Sequence, residues 1–331
     1  MKALKMIREK LNNYGVKKLP LLFLRRVILL QSALFLKFNI FYWFKRLIFG
    51  SVVVKDVNGF KMYLNLKSDT GISKDLFIFK KREYLSTDFL QNQNFINPGD
   101  VILDIGANIG YYALLESRLT GPRGMVYAIE PVLNNYYTLK SNVELNDIKN
   151  INMFKLAIGN KNGKDYIYVA KMGNISSLIY REKIKFINKE KVQITTIDNF
   201  ISKQQIKPNF IRMDVEGYET EIIQGARKTL LIYKPKLFIE VHPHLITPEN
   251  LEKMFLTIKE SGYKDAVVIK EKSLIWITKH GEIKPILLYL TKKIEADNCE
   301  VLGIGSIEHM TIEALCKKLY NRGSAFHLFL T

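Results

Sequence analysis

VILDIGANIGYY, running from Val101 to Tyr112, is the stretch whose reading decides the fold. Its first five residues are apolar or β-branched apart from Asp104, as in a short buried strand. Gly106 and Gly110 then allow a tight bend and a close backbone approach to a ligand, since neither carries a Cβ. Helical patterning follows, so the unit reads strand, turn, helix. In an open parallel sheet, ligands settle beyond the carboxyl ends of the strands, where strand order reverses, which makes this turn the candidate binding place.

The spacing narrows the ligand. A pyrophosphate lying on bare helix amides asks for Gly-x-Gly-x-x-Gly. Here the order is Asp104, Gly106, Asn108, Gly110, with asparagine where the second glycine belongs, which argues against NAD or FAD. A nucleoside cofactor without a pyrophosphate fits, provided it brings a cationic amino group to Asp104 and a ribose to an acid ending the next strand. Glu130 closes MVYAIEP, 26 residues after Asp104, near the offset of about 20 expected for a ribose-binding carboxylate. S-adenosylmethionine satisfies both conditions.

Outward from the turn, strands are expected at 101–105, 125–130, 151–158, 210–214 and 237–241, with helical stretches after the first, second, fourth and fifth. Such alternation predicts an α/β fold, a mostly parallel sheet with helices on both faces. Residues 164–196 are richer in strand-like segments and predict a local β-meander. Upstream, Asn58-Gly59 sits between two apolar, β-branched runs of 51–66 and predicts a hairpin, because both turn residues must accept positive φ. A helix is expected over 73–94, and further strands at 266–269, 274–278 and 326–330. The predicted organisation is a basic apolar segment (1–50), a hairpin and helical lead-in (51–100), a core (101–270), and C-terminal strands and helix that complete or extend it (271–331).

The carboxyl edge carries more chemistry. Asp214 ends the fourth strand, Glu216 and Glu219 follow in DVEGYE, and Glu240 and His242 end the fifth in FIEVHPH. Methyl transfer to a hydroxyl needs alignment and a proton acceptor. His242, with an ordinary pKa near working pH, is the expected base, with Asp214 or Glu216 orienting it, binding the hydroxyl or replacing it. The bland readings are that Glu216 and Glu219 are first-turn helix acids and His242 a solvated loop residue. Asp214, Glu240 and His242 could also form a metal set in principle, but nothing in the spacing demands it, and no metal is assigned. Asp198 in TTIDNF reads as a helix N-cap and stays outside the site.

DIGANIGYY, AIEP, the asparagine-rich helix leading to Asn142 and Asn146, TTIDNF and above all IRMDVEGYE together resemble the FkbM-type S-adenosylmethionine-dependent methyltransferases, class I enzymes of Rossmann-like fold. The resemblance runs from about Gly71, through Glu83 and Thr87, to about His242. It implies O-methylation of a hydroxyl, often on a sugar, glycan or secondary metabolite. It also implies a cofactor site that includes Asp104, Gly106, Asn108, Gly110, Glu130, Asn142 and Asp214, with Ser176 and Ser177 able to contact cofactor or acceptor. Arg212, where lysine is usual, and Ala113, where a small hydroxyl residue is common, depart mildly from the pattern. An Asn/Asp-Pro-Pro-aromatic run, as in enzymes acting on exocyclic amines, is absent and argues against adenine methylation.

Charge is concentrated at one end. Residues 1–50 hold eleven Lys/Arg against Glu9 alone and so supply +10 of the formal +18. The same segment is apolar between its charges, which points to an anionic lipid surface rather than nucleic acid. The 18 residues between Arg26 and Lys45 are interrupted by Gln31, Ser32, Lys37 and Asn39, a poor membrane span. The expectation is a cytoplasmic enzyme with peripheral membrane contact through 1–50. Packing of that segment on the core is the structural alternative, and a nucleic-acid-modifying or nucleic-acid-binding protein is the functional one. Cys299 and Cys316 are too few and too separated for a disulfide framework or zinc knuckle.

Overall fold

The computed structural model describes residues 52–67, 69, 71–170, 176–182, 184, 186–271, 305–318 and 324–331. Residues 51–271 and 307–331 make one compact unit. The second unit, 1–50 with 272–306, falls almost wholly outside the described residues, as do the expected membrane-facing segment and the expected strand at 274–278. Among the described residues no helix is long and apolar enough to cross a membrane.

The hairpin forms as expected. β1 (Val52–Val57) pairs antiparallel with β2 (Phe60–Asn65), and Asn58 and Gly59 take φ of 51° and 82°, the positive values a two-residue turn of this kind requires. The single helix expected over 73–94 is instead two, α1 (Ile72–Phe79) and α2 (Tyr84–Asn92). Lys80 and Glu83 both adopt left-handed backbone, which ends one helix and restarts the next in a new direction.

Among the described residues the main sheet has eight strands. Four run parallel in the order β5 (Ile151–Phe154), β4 (Met125–Ile129), β3 (Val101–Ile105), β9 (Phe210–Met213), and β10 (Lys236–Val241) continues parallel to β9. β13 (Phe326–Leu330) is antiparallel and inserts between β10 and β11 (Asp265–Glu271), with β12 (Gly305–Thr311) at the edge. The expected strand over 151–158 is split: β5 stays in the main sheet, while β6 (Ala157–Ile158) joins a separate three-stranded sheet with β7 (Gly163–Ala170) and β8 (Phe186–Thr195), where β7 and β8 pair antiparallel but β6 runs parallel to β8, so the expected local β-structure forms without a meander's order.

Both faces of the sheet are covered, which explains why strands such as VILDI and FIRM are apolar runs rather than alternating patterns. One face packs Leu103, Ile105, Ile211, Met213, Leu237 and Ile239 against helices that include α6 (Glu219–Gln224) and α8 (Pro248–Glu260). On the other, Phe238 and Phe329 stack at 4.3 Å and Arg212 lies 4.0 Å over Tyr112 of α3 (Tyr111–Thr120). Helix starts follow local chemistry. Thr247 accepts from Asn250 N at 3.3 Å ahead of Pro248, and Thr196 accepts from Asn199 N at 3.0 Å to start α5 (Ile197–Gln204). Asp198 is therefore not the cap of its own helix. Its carboxylate accepts from the backbone N–H groups of Lys228 and Thr229 in α7 (Arg227–Tyr233), because α5 and α7 lie side by side.

Candidate active site

The chain moves outward from β3 through β4 to β5, then returns to the other side of β3 as β9. The reversal point is thus the gap between β3 and β9, above their carboxyl ends. A solvent-open cleft of about 640 Å³ lies there, and Gly106, Asn108, Glu130, Asp214 and Glu216 all line it, with Ser176 and Ser177 opposite.

Gly106, at φ 80°, is packed so tightly against β9 that a Cβ would overlap the Asp214 carbonyl oxygen and sit 3.1 Å from its carbon. Its N–H and that of Ala107 donate to Ile129 O, at 2.9 and 3.0 Å, tying the turn to the end of β4. Asn108 supplies what a glycine would otherwise supply: it holds φ 51° and its Oδ1 accepts from Ile109 N at 2.9 Å. Its own N–H donates to Glu130 Oε2 at 2.9 Å, while Val132 N donates to Oε1 at the same distance. Burial pushes the Glu130 carboxyl up to about 7 against the pull of those two N–H donors. Gly110, at φ 93°, opens α3, and a Cβ there would meet Leu139 Cδ1 at 2.6 Å.

Three residues expected at the cofactor, Asp104, Gly110 and Asn142, do not line the cleft. Asp104 is fully buried beneath the turn and does not line the cleft; its Oδ1 accepts from Arg212 Nη1 at 2.9 Å and its Oδ2 has no hydrogen-bond partner. Burial raises its pKa, with Arg212 opposing. Arg212 also reaches Asp214 Oδ2 at 3.3 Å and so links the buried Asp104 to an acid that lines the cleft. Asn142 is likewise fully buried, in α4 (Leu133–Leu145). Its amide donates to Ile109 O at 2.8 Å and its carbonyl accepts from Tyr63 N at 2.6 Å, clamping the hairpin to the turn.

The sequence DVEGYE folds into a pinned corner. Glu216 and Gly217 both take positive φ, and the Glu216 carbonyl accepts from Ser177 Oγ at 3.3 Å and from Arg181 Nη2. Glu219 reaches back to Gly217 N at 3.1 Å with Oε1, and the same oxygen meets His242 Nδ1 at 2.7 Å. His242 is consequently no solvated loop residue: its side chain is 5% exposed, with Nε2 3.6 Å from Glu240 Oε1 and 3.7 Å from Glu216 Oε2. Asp214, Glu216, Glu240 and His242 are thus brought together. Against burial, the hydrogen bond that its Nδ1 gives to Glu219 raises the His242 pKa well above its ordinary value. Burial pushes Glu216 up to about 7 and raises Asp214 well above its ordinary value, with Glu240 adding to the rise in Asp214.

The sequence reading missed part of the cluster. Glu83 and His327 join it from α2's N-terminus and from β13, with His327 Nε2 3.2 Å from Glu83 Oε2 and 3.6 Å from Glu240 Oε2. Burial opposes a charge on His327, yet the two carboxylates push it up to about 10. Tyr112 donates to Glu83 Oε2 at 2.7 Å and Arg82 pairs with its other oxygen at 2.8 Å. The available signal was a lone histidine inside the apolar run FHLFL.

Residues 104–264 match the family model described as the methyltransferase FkbM domain. The chain is 26% identical over 148 residues to the 2-O-methyltransferase NoeI of Sinorhizobium fredii (strain NBRC 101917 / NGR234), covering 40% of this chain and 60% of that protein. It is 22% identical over 169 residues to Methyltransferase 1 of Beauveria bassiana (strain ARSEF 2860), covering 43% and 68%. Among solved structures, methyltransferase FkbM from Methylobacillus flagellatus KT is 21% identical, covers 54% of this chain and 43% of its own, and gives a TM-score of 0.40.

Proposed function

We propose, from the match of residues 104–264 to the methyltransferase FkbM domain model, that the protein is an S-adenosylmethionine-dependent O-methyltransferase acting on a hydroxyl of a sugar, glycan or related metabolite. The observation that carries the reading is the apposition of Gly106 to the Asp214 carbonyl, which sets a ribose-type acid, a bare backbone turn and a carboxylate cluster around one cleft. The residues fit the cofactor. Glu130 ends the neighbouring strand and lines the cleft, Gly106 lets the turn lie directly against the end of β9, and Asp214 offers a carboxylate to an ammonium group.

When bound, S-adenosylmethionine supplies a sulfonium methyl that a hydroxyl oxygen can displace in line. The chain's task is then positioning and proton removal. Glu216 is the carboxylate that both lines the cleft and lies beside Asp214, so it accepts the acceptor's hydroxyl proton. His242, held by Glu219 and facing Glu216 and Glu240, orients those carboxylates instead of acting as the base. The low similarity over partial lengths leaves the sugar acceptor and any membrane proximity as parts of this proposal.

Calorimetric titration with S-adenosylmethionine tests the cofactor assignment: the wild type should bind, and Glu130→Ala should weaken binding at least about tenfold, or 1.4 kcal/mol. Incubation with labelled cofactor and a panel of free and lipid-linked sugars tests the acceptor. A transferred label that survives alkaline hydrolysis marks an ether. Release of the label as methanol would mark a carboxyl acceptor and remove the hydroxyl assignment.

A further inference from the structure

We propose that Asp214, Glu240 and His242 form a binding site for one divalent cation at the acceptor end of the cleft, with Glu219 positioning the histidine. One carboxylate oxygen from each acid and a histidine ring nitrogen lie within 4.8 Å of one another. Donors held about 2.1 Å from an ion at angles near 90–110° stand about 3.0–3.4 Å apart. Small side-chain adjustments bring Nε2 and Glu240 Oε1, now 3.6 Å apart, into that range.

A second observation points to a ligand. The His242 side chain is 95% buried by the complement of its 5% exposure, and its Nε2 makes no hydrogen bond among the described residues although three carboxylates face it. Its other nitrogen is fixed by Glu219 Oε1 at 2.7 Å. That is how metal-bound histidines are usually oriented: one ring nitrogen donates to a carboxylate and the other presents its lone pair to the ion. Glu219 is fully buried and accepts from Gly217 N, in the corner just ahead of its helix.

Charge favours the same location. Asp214, Glu216, Glu219 and Glu240 crowd one histidine, and the nearest side chain paired with Asp214, Arg212, is already shared with Asp104. The neighbouring group of Glu83, Glu240 and His327 differs, because Arg82 stands 2.8 Å from Glu83 as a built-in counter-charge. Two carboxylates and one imidazole suit a divalent ion that prefers oxygen donors and accepts a nitrogen, such as Mn²⁺. The ligand set stands on its own geometry. Its role in catalysis, drawing an acceptor hydroxyl oxygen beside Glu216 and easing loss of its proton, rests on the methyltransferase reading.

The test uses the full-length protein stripped with chelator and titrated with Mn²⁺ alone, followed by loss of the free-ion electron paramagnetic resonance signal. One equivalent per chain is expected. His242→Gln and Glu240→Gln should lose it, and Glu219→Gln should weaken it about 10–100-fold. Urea denaturation of the same stripped proteins serves as the folding control, and S-adenosylmethionine affinity is measured beside it. Absence of Mn²⁺ binding in a wild type that binds the cofactor, or a site unchanged in both glutamine variants, overturns the proposal and leaves the methyltransferase reading standing. A protein that takes up Mn²⁺ through His242 and Glu240 but never the cofactor retains this site and overturns that reading.

Discussion

Replacing Gly106 by alanine is the sharpest probe of the turn. The new Cβ has to overlap the Asp214 carbonyl oxygen, a backbone atom at the end of β9 whose N–H is bonded at 3.0 Å to Ile105 O. A flexible side chain could move aside; two hydrogen-bonded strand ends cannot. A non-glycine residue at φ 80° adds about 1–2 kcal/mol of backbone strain, and overpacking adds about 1–3 kcal/mol. The total of about 2–5 kcal/mol lowers Tm by on the order of 10 °C in a domain of this size. Gly99→Ala is the matched control, because Gly99 has φ 94° with nothing within 4 Å of the added methyl, so only about 1–2 kcal/mol of strain applies. Urea denaturation with a common m-value gives the difference directly. Relief of the overlap must also shift the corner carrying Asp214 and Glu216, so Gly106→Ala should lose cofactor affinity while Gly99→Ala keeps it. Equal destabilisation of the two variants, with cofactor affinity intact in both, would refute the packing argument.

Cofactor affinity should rise with pH through about 7, because the ionised Glu130 carboxylate is the better acceptor for ribose hydroxyls and burial holds its pKa there; about a tenfold gain between pH 6 and 8 is expected by calorimetry. Glu130→Gln should flatten that profile, and a slope that persists in the variant would assign it to another group. Asn142→Ala removes the clamp on Ile109 O and Tyr63 N and should cost about 2–4 kcal/mol in urea titrations, since buried backbone groups lose their partners. Thr196→Ala, by contrast, should cost about 1 kcal/mol by loss of a helix cap and leave cofactor affinity untouched.

What could be read from the sequence was local. The hairpin at Asn58-Gly59, the strand and turn of VILDIGANIG, and the alternation of strands with helices each follow from propensities within a dozen residues. The break between α1 and α2 could not, because Lys80 and Glu83 are poor candidates for left-handed backbone, and Glu83 is held there by Tyr112, Arg82 and His327 from elsewhere in the fold. Asp104 was read as the acid that meets a cofactor's amino group, yet it is buried and paired with Arg212 of an adjacent strand. Glu219 looked like an ordinary first-turn acid; its link to His242 depends on two separate corners meeting over the sheet. Asp214, Glu216, Glu240 and His242 were accessible to reasoning because each follows or ends a parallel strand, and parallel strands bring their ends to one edge.

The antiparallel insertion of β13 bears on how the molecule is made. During synthesis β9 and β10 leave the ribosome long before Phe326–Leu330, so β10 spends that interval as a bare edge with Phe238 lacking its stacked partner Phe329. Pairing of Glu240 with His327 closes a long stretch of chain, a contact of the kind that slows folding and leaves intermediates prone to self-association. A nascent chain arrested before β13 would hold most of the cofactor turn and still lack the strand that seals its acidic edge.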